Sequence, residues 1–421
     1  MTKKYCVIGA GAAGLPALKM LIDEGYDVDC FEKSDKVGGH WNHDYDFLHL
    51  ITSKTVTGYE HWPMPEDYPT FPSKDLMLKY FNMYAEEFNL FERITFNTEV
   101  LSCIPLPGDG LPGSHGWEVT TSDGKTNVYE GVLIANGHLW DQKTPEVEGE
   151  FTGRQIHSGS YRNTKDIEGP VLVIGAGNSG CDLAVDCAQN YFDTSIVMRS
   201  GHFFQPKTFF GRPRAELPWM AEFSFEEQDL IARLMMKVSV GEWSNYPGMP
   251  EPDHKRLMDG PPVVNNLLLY WLQHGRIAIK PGIKRFEGKT VHFEDGTSKD
   301  FETILWATGF HASVPMLDDS LVQKSADNVP LRYGAGVVPL GLQKCYYIGL
   351  IAARGGQPMQ YPIQTDLAIR MIKLHERSQT GTAPVVETLA ATQEPEWRVD
   401  ILRPIWFDQI ADTKEILTKM A

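Results

Sequence analysis

Apolar positions along the first thirty residues change period twice. A short apolar run at 5–8 leads into a glycine-rich stretch. From 12 to 23 the apolar residues return at spacings of three and four, and residues 27–32 form a second strand-like stretch that mixes apolar and acidic positions. A short apolar run, a helical spacing and a second strand-like stretch predict strand, helix, strand. A helix is predicted from Ser73, as N-cap, to about Phe88, with strands at 94–100, 117–121 and 131–135. The opening pattern then restarts at Pro170, with a strand at 171–174, a helix at 179–189 and a strand at 195–199. This is duplication of one βαβ unit, not a short-period solenoid. Residues 201–262 are aromatic and proline-containing and read as an insertion. Strands follow at 277–280, 290–293, 301–306 and 346–351, then a helix near 363–374 and a mixed tail. The predicted fold class is α/β, with two nested Rossmann-like dinucleotide-binding domains. A discontinuous first domain takes 1–165 and 301–421, and the inserted second domain takes 166–300, including the 201–262 insertion.

Length supports this division, since 421 residues exceed what one hydrophobic core usually serves. Charge narrows the partners. With 39 basic against 55 acidic residues the net charge is −16, which argues against nucleic acid or an anionic membrane. The longest apolar stretch, 263–272, is too short to span a bilayer and runs into His274 and Arg276. The start of the chain enters a strand directly, so no secretory signal is expected. Six scattered cysteines without a CxxC pair suit a reducing, cytoplasmic setting. His40, His43 and His49 lack a repeated ligand spacing, so no metal is expected.

Candidate chemistry begins at Gly9-Ala10-Gly11-Ala12-Ala13-Gly14, between a strand and a helix. Gly9 permits the tight turn, Gly11 lets a pyrophosphate approach the backbone, and Gly14 lets the helix pack on the strand. The helix N-terminus offers free N–H groups to the phosphates. Glu32, at the end of the second strand, is placed to accept from ribose hydroxyls. The second loop, Gly175-Ala176-Gly177-Asn178-Ser179-Gly180, has the same context but a different second-strand end, Met198-Arg199-Ser200. A carboxylate there would repel a 2′-phosphate, whereas Arg199 and Ser200 would bind one. The first loop therefore suits an adenosine with a free ribose, and the second, with Gly175, Gly177, Asn178, Ser179 and Gly180, suits NADPH.

Between the units lies Phe151-Thr152-Gly153-Arg154-Gln155-Ile156-His157-Ser158-Gly159-Ser160-Tyr161, an FxGxxxHxxxY pattern. With it the chain resembles the class B flavin-containing monooxygenases over roughly residues 5–375, closest to their shorter bacterial and plant-like branch. Gly38-Gly39-His40-Trp41 resembles the family's GGxW, which implies that Gly39 and Trp41 contact FAD. Asn97-Thr98-Glu99-Val100 resembles a strand whose last residue, Val100, meets the adenine through its backbone. Ala135-Asn136-Gly137 and Ala307-Thr308-Gly309 resemble the ATG-type strand ends, placing Ala135 beside FAD. Residues 349–364 resemble the segment over the flavin ring, with Gln364 as a ring contact.

The resemblance implies NADPH and O2 as co-substrates and a C4a-(hydro)peroxyflavin that gives one oxygen atom to a small organic substrate. Tyr161, where the Baeyer–Villiger signature has Trp, tilts the expectation toward sulfur or nitrogen oxidation. The alternative is Baeyer–Villiger or 2-oxo acid (indole-3-pyruvate-like) oxygenation by the same intermediate. His157 reads as a coupling element between domains, not an acid or base. One departure stands out: Ile51 occupies the place of the family's flavin-side Asn, leaving Thr52 and Ser53 as nearby polar candidates and the catalytic residues unknown. Phe203, Phe204, Phe209, Phe210 and Trp219 offer either a substrate-channel lining or ordinary core. A homodimer is compatible with all of this. The rival readings are a flavin disulfide reductase, which needs a close cysteine pair, and a non-catalytic flavoprotein.

Overall fold

The computed structural model describes residues 3–421. Two five-stranded parallel sheets form its frame. The first runs Cys345–Tyr347, Gly131–Ile134, Lys4–Ile8, Asp27–Phe31, Ile94–Thr95. The second runs Arg154–His157, Thr303–Trp306, Val171–Ile174, Thr194–Val197, Ile277–Lys280. In both, the opening strand lies in the centre with the second and third strands to one side, the arrangement that places a crevice above its carboxyl end. The strands Gly131–Ile134, Val171–Ile174 and Thr303–Trp306 are buried at every position. Helices cover both faces of such sheets, so a continuous apolar run is required of them.

The duplication goes further than the sequence shows. In the first unit the strand Gly131–Ile134 is entered from an antiparallel meander of Val100–Pro105, Trp117–Thr121 and Thr126–Tyr129. In the second, Thr303–Trp306 is entered from Ile283–Gly288, Thr290–Phe293 and Ser298–Asp300. The helix Gly14–Asp23 packs against Tyr361–Arg377, burying Leu15, Leu18 and Leu21 with Leu367, Met371 and Ile372. The equivalent helix of the second unit, Asn178–Gln189, packs against Leu267–Gln273.

Several expectations change. Arg154–His157 and Thr303–Trp306 both belong to the second sheet, so that unit is wider at both ends than 166–300. Strand pairing across 146 or more residues decides this, which no local pattern records. The predicted strand 94–100 divides between two sheets at Asn97, whose φ of 53° turns the chain. Of the strand predicted at 346–351 only Tyr346 and Tyr347 are strand, as part of Cys345–Tyr347. The tail holds a long helix, Arg403–Met420, whose Trp406 is fully buried and donates to the Ala335 carbonyl. Among the described residues no helix is long and apolar enough to cross a membrane.

The insertion is a small structure of its own. A hairpin, Thr208–Phe209 with Arg212–Pro213, precedes the helix Phe225–Ser239. Ser224 and Glu227 cap that helix reciprocally. Phe209, Leu217, Met236 and Leu257 form a separate core, with Phe203 and Trp219 packed on it. Phe204 joins the core of the second unit, while Phe210, at the hairpin tip, is exposed. The aromatic run is therefore largely core. Phe203 and Phe204 also line a cavity of about 290 Å³ with Trp243, Tyr246 and Met249.

Candidate active site

The two glycine loops are built alike to the level of single atoms. A Cβ on Gly14 would stand 1.8 Å from the Gly9 carbonyl oxygen, and one on Gly180 would stand 1.9 Å from that of Gly175. Gly9 and Gly175 hold φ of 101° and 105°, and a Cβ on either would meet the carbonyl of Ala135 or Ala307 at 2.7 or 2.5 Å. Only glycine closes this strand-turn-helix corner. Neither helix has a side-chain N-cap or an acid in its first turn, although Ser73 and Ser224 cap other helices of the chain. Two helix starts with free amides and no negative charge suit phosphate. A Cβ on Gly177 would meet nothing within 4 Å, so the second loop has open space beside it.

What holds each loop differs. In the first unit Glu32 is buried, and its Oε2 accepts from the Ala10 amide at 2.8 Å while Oε1 accepts from the amide and hydroxyl of Ser34. The amides of Asn97 and Thr98 donate to Ser34 and Glu32 carbonyls, wrapping the following strand around the same acid. A carboxylate has about four acceptor positions, so Glu32 can hold the loop and still accept from a ribose hydroxyl. Gly39 comes opposite Gly11, where a Cβ on Gly39 would be 3.3 Å from the Gly11 Cα, and the Gly38 amide donates to Ala10. Trp41 packs on this side of the first core. Ala135 and Val100 are buried at their strand ends. These groups fit a dinucleotide lying across the loop.

The second loop has no acid. Arg199 is exposed and, among the described residues, has no carboxylate within salt-bridge range, and Ser200 follows it. Asn178 turns its amide to protein: Nδ2 donates to the Pro262 carbonyl and Oδ1 accepts from the Val264 amide, clasping the return of the insertion. Its side chain is thereby committed to structure, leaving backbone amides and Ser179 for a nucleotide.

Gln364, on the helix Tyr361–Arg377, is fully buried; its Oε1 accepts from the Gly349 amide at 2.7 Å, and its Nε2 donates to the Ile351 carbonyl, so it holds the segment 349–351. Thr52 and Ser53 are likewise engaged. Thr57 donates to the Ser53 carbonyl, so Thr52 is the donor in the 2.8 Å bond between the two threonines. The Ser53 hydroxyl donates to Glu216 of the insertion.

The signature is anchored within the second unit, and a Tyr–Asp bond beside it crosses from the first. His157 Nδ1 accepts from the Gly159 amide and its Nε2 donates to the Gly309 carbonyl, so both nitrogens are satisfied in the neutral ring. Burial lowers its pKa. Tyr161, fully buried, donates to Asp186 at 2.6 Å, and Tyr45 of the first unit donates to Asp182 at 2.8 Å. Burial raises the pKa of both acids. Asp182, Asp186 and Glu216 carry no motif, and their partners lie 137, 25 and 163 residues away, so sequence spacing did not reveal them. All six cysteines are buried and unpaired, and burial pushes the thiols of Cys181 and Cys187 up. A buried thiol is inert, which leaves no redox pair for a disulfide reductase.

Two dinucleotide-type units tied by a buried Tyr–Asp bond fit an oxidoreductase that takes two nucleotides. A model of the flavin-binding monooxygenase-like family matches residues 2–417. Dimethylaniline monooxygenase [N-oxide-forming] 2 of Oryctolagus cuniculus is 31% identical over 400 residues, covering 89% of this chain and 74% of that protein. Flavin-containing monooxygenase 2 of Homo sapiens is 32% identical over 405 residues with the same coverage. In fold, a flavin-containing monooxygenase from Stenotrophomonas maltophilia matches with TM-score 0.66 at 20% identity, covering 88% of this chain and 99% of that one. Cyclohexanone monooxygenase from Rhodococcus sp. Phi1 bound to NADP+ matches with TM-score 0.70 at 17% identity, covering 100% and 97%. The chain belongs to the flavin-binding monooxygenase-like family and is a flavin-dependent monooxygenase.

Proposed function

We propose that the chain uses FAD and NADPH to transfer one oxygen atom from O2 to a small organic substrate, by oxidation of sulfur or nitrogen. One contrast carries the coenzyme assignment: Glu32 ends the second strand of one unit and Arg199-Ser200 that of the other. FAD would lie on the 9–14 loop with Glu32, Gly39, Trp41, Val100 and Ala135. NADPH would lie on the 175–180 loop with Ser179, Arg199 and Ser200. Once bound, the flavin supplies the redox chemistry that accepts electrons from NADPH and activates O2. The protein's part is to hold both nucleotides and keep water out. The Tyr45–Asp182 bond ties the two units together, the Tyr161–Asp186 bond anchors the signature within the second, and His157 holds the 309 turn without exchanging a proton. Gln364 sets the segment 349–351 over the flavin site.

Relatives named for N-oxide formation at 31–32% identity support heteroatom oxidation. The ketone-oxidising neighbour is 17% identical and supports the fold alone. Stopped-flow reduction under anaerobic conditions should bleach the flavin much faster with NADPH than with NADH. In air, 18O2 should place one labelled atom in the sulfoxide of thioanisole or the N-oxide of dimethylaniline. Equal bleaching by NADH, or peroxide with no labelled product, would remove the assignment.

A further inference from the structure

In an acidic chain a desolvated cation without a carboxylate is conspicuous, and the insertion holds two. Lys207 and Arg214 bracket its hairpin, joined by the Arg214 amide donating to the Lys207 carbonyl at 3.0 Å. Among the described residues neither has a carboxylate within salt-bridge distance, whereas 22 such pairs are formed elsewhere. Arg214 Nη1 donates to the buried Gln205 amide oxygen at 3.0 Å, and its buried Nε has no partner. Lys207 sits 5.4 Å over the ring of Phe71, in the first unit. Glu216, two residues beyond Arg214, accepts from Ser53. The base of the hairpin therefore faces the 51–72 loop, where Thr52 and Ser53 lie.

We propose that Lys207 and Arg214 recognise the carboxylate of an anionic substrate at the cleft between the units. The reading rests on the monooxygenase assignment above and adds a substrate class, organic acids carrying an oxidisable heteroatom. Burial lowers the pKa of both cations, that of Arg214 to about 10. Each is thus a charge held at a cost, which a bound anion offsets. The nearby acids are already engaged: Asp182 accepts from Tyr45 and Asn265, and Glu216 from Ser53. The coenzyme phosphates have their own partners at the 175–180 amides and at Arg199 with Ser200, on the other side of the hairpin's sequence. An Arg with a free Nε beside a Lys suits a planar carboxylate.

The test is a binding titration of the FAD- and NADP+-loaded enzyme, read as a flavin difference spectrum. It compares phenylacetate with phenylacetamide, so it needs no turnover and stands apart from failure of the oxygenation assay. The wild type should bind the acid roughly tenfold or more tightly than the amide, the scale of one charge-assisted hydrogen bond. Arg214→Gln and Lys207→Met should each bring that ratio toward one, and Arg214→Lys should restore part of it. A wild-type ratio near one would overturn the proposal. So would variants that raise the KM for NADPH and leave the acid-to-amide ratio unchanged, since the cations would then serve the coenzyme.

Discussion

The two nucleotide units share one backbone solution and differ in how it is secured. In the first, a buried acid on the neighbouring strand holds the loop from within through the Ala10 amide. In the second, the corresponding strand end is Arg199-Ser200, and the loop is held from outside by Asn178 gripping Pro262 and Val264. An acid at the second position would repel the 2′-phosphate for which that unit is proposed, so its holding role passes to a neutral side chain and a borrowed segment. The insertion is thereby structural to the second unit as well as adjacent to the cleft. Its Glu216 and Lys207 touch the first unit, so one segment bears on both units.

The contrast is broken most severely at the third glycine of each loop. Gly14→Ala puts a carbon 1.8 Å from a backbone oxygen beneath the first core. We expect protein without bound flavin, seen as loss of the visible absorbance per mole of chain. Gly180→Ala meets the same obstruction at 1.9 Å but should keep its flavin and lose NADPH-driven bleaching by on the order of 100-fold, the scale of a forced overpacking. Loss of flavin from both variants alike would show that the units do not divide the nucleotides.

A smaller effect separates the strand ends. Arg199→Ala should raise the KM for NADPH by about 10- to 100-fold and leave NADH nearly unchanged, since one charge-assisted contact contributes about 1.5–3 kcal/mol. Steady-state kinetics with both coenzymes decides it, and a parallel loss with NADH would place Arg199 elsewhere.

The smallest effect is in acid. His157 in the second unit and His375 in the helix of the first are buried neutral rings. Each accepts a backbone amide at Nδ1, from Gly159 and Ala383 respectively. Burial lowers both pKa values, that of His375 to about 3. The unfolded chain takes up protons near pH 6.5 while the folded one does not. Stability is therefore fully present above 6.5 and is lost as pH falls toward about 3. Urea midpoints measured from pH 7 down to 4 should decline, with a shallower slope in His375→Gln. An unchanged slope would show that the carboxylates alone govern the decline.

The chain announced its chemistry through local backbone needs. A strand-to-helix corner closes only with glycine at fixed spacing, and the acid or Arg-Ser at the next strand end is read from the same thirty residues. So the glycine corners at Gly9, Gly14, Gly175 and Gly180 were legible without a structure, as was the fold class, while Glu32 and Arg199 stand as proposals for the two nucleotides. The Ser224–Glu227 cap went unread in an insertion whose pattern reads only as an aromatic stretch, although Ser-x-x-Glu before an apolar run marks a helix start.

Tertiary structure decided the rest, because it depends on pairings between residues far apart in the chain. Strand 154–157 joins the second sheet only through partners near 303–306. That Gln364 binds the Gly349 amide and the Ile351 carbonyl follows from helix packing and not from spacing. Thr52 and Ser53 look free until Thr57 and Glu216 accept hydrogen bonds from their hydroxyls. The cations of the insertion gain meaning only from Phe71, 136 positions earlier than Lys207, and from the buried, unpartnered Nε of Arg214. Local geometry fixes which residue types a nucleotide loop requires, whereas solvent exclusion and long-range contact fix which polar groups are left to meet a substrate.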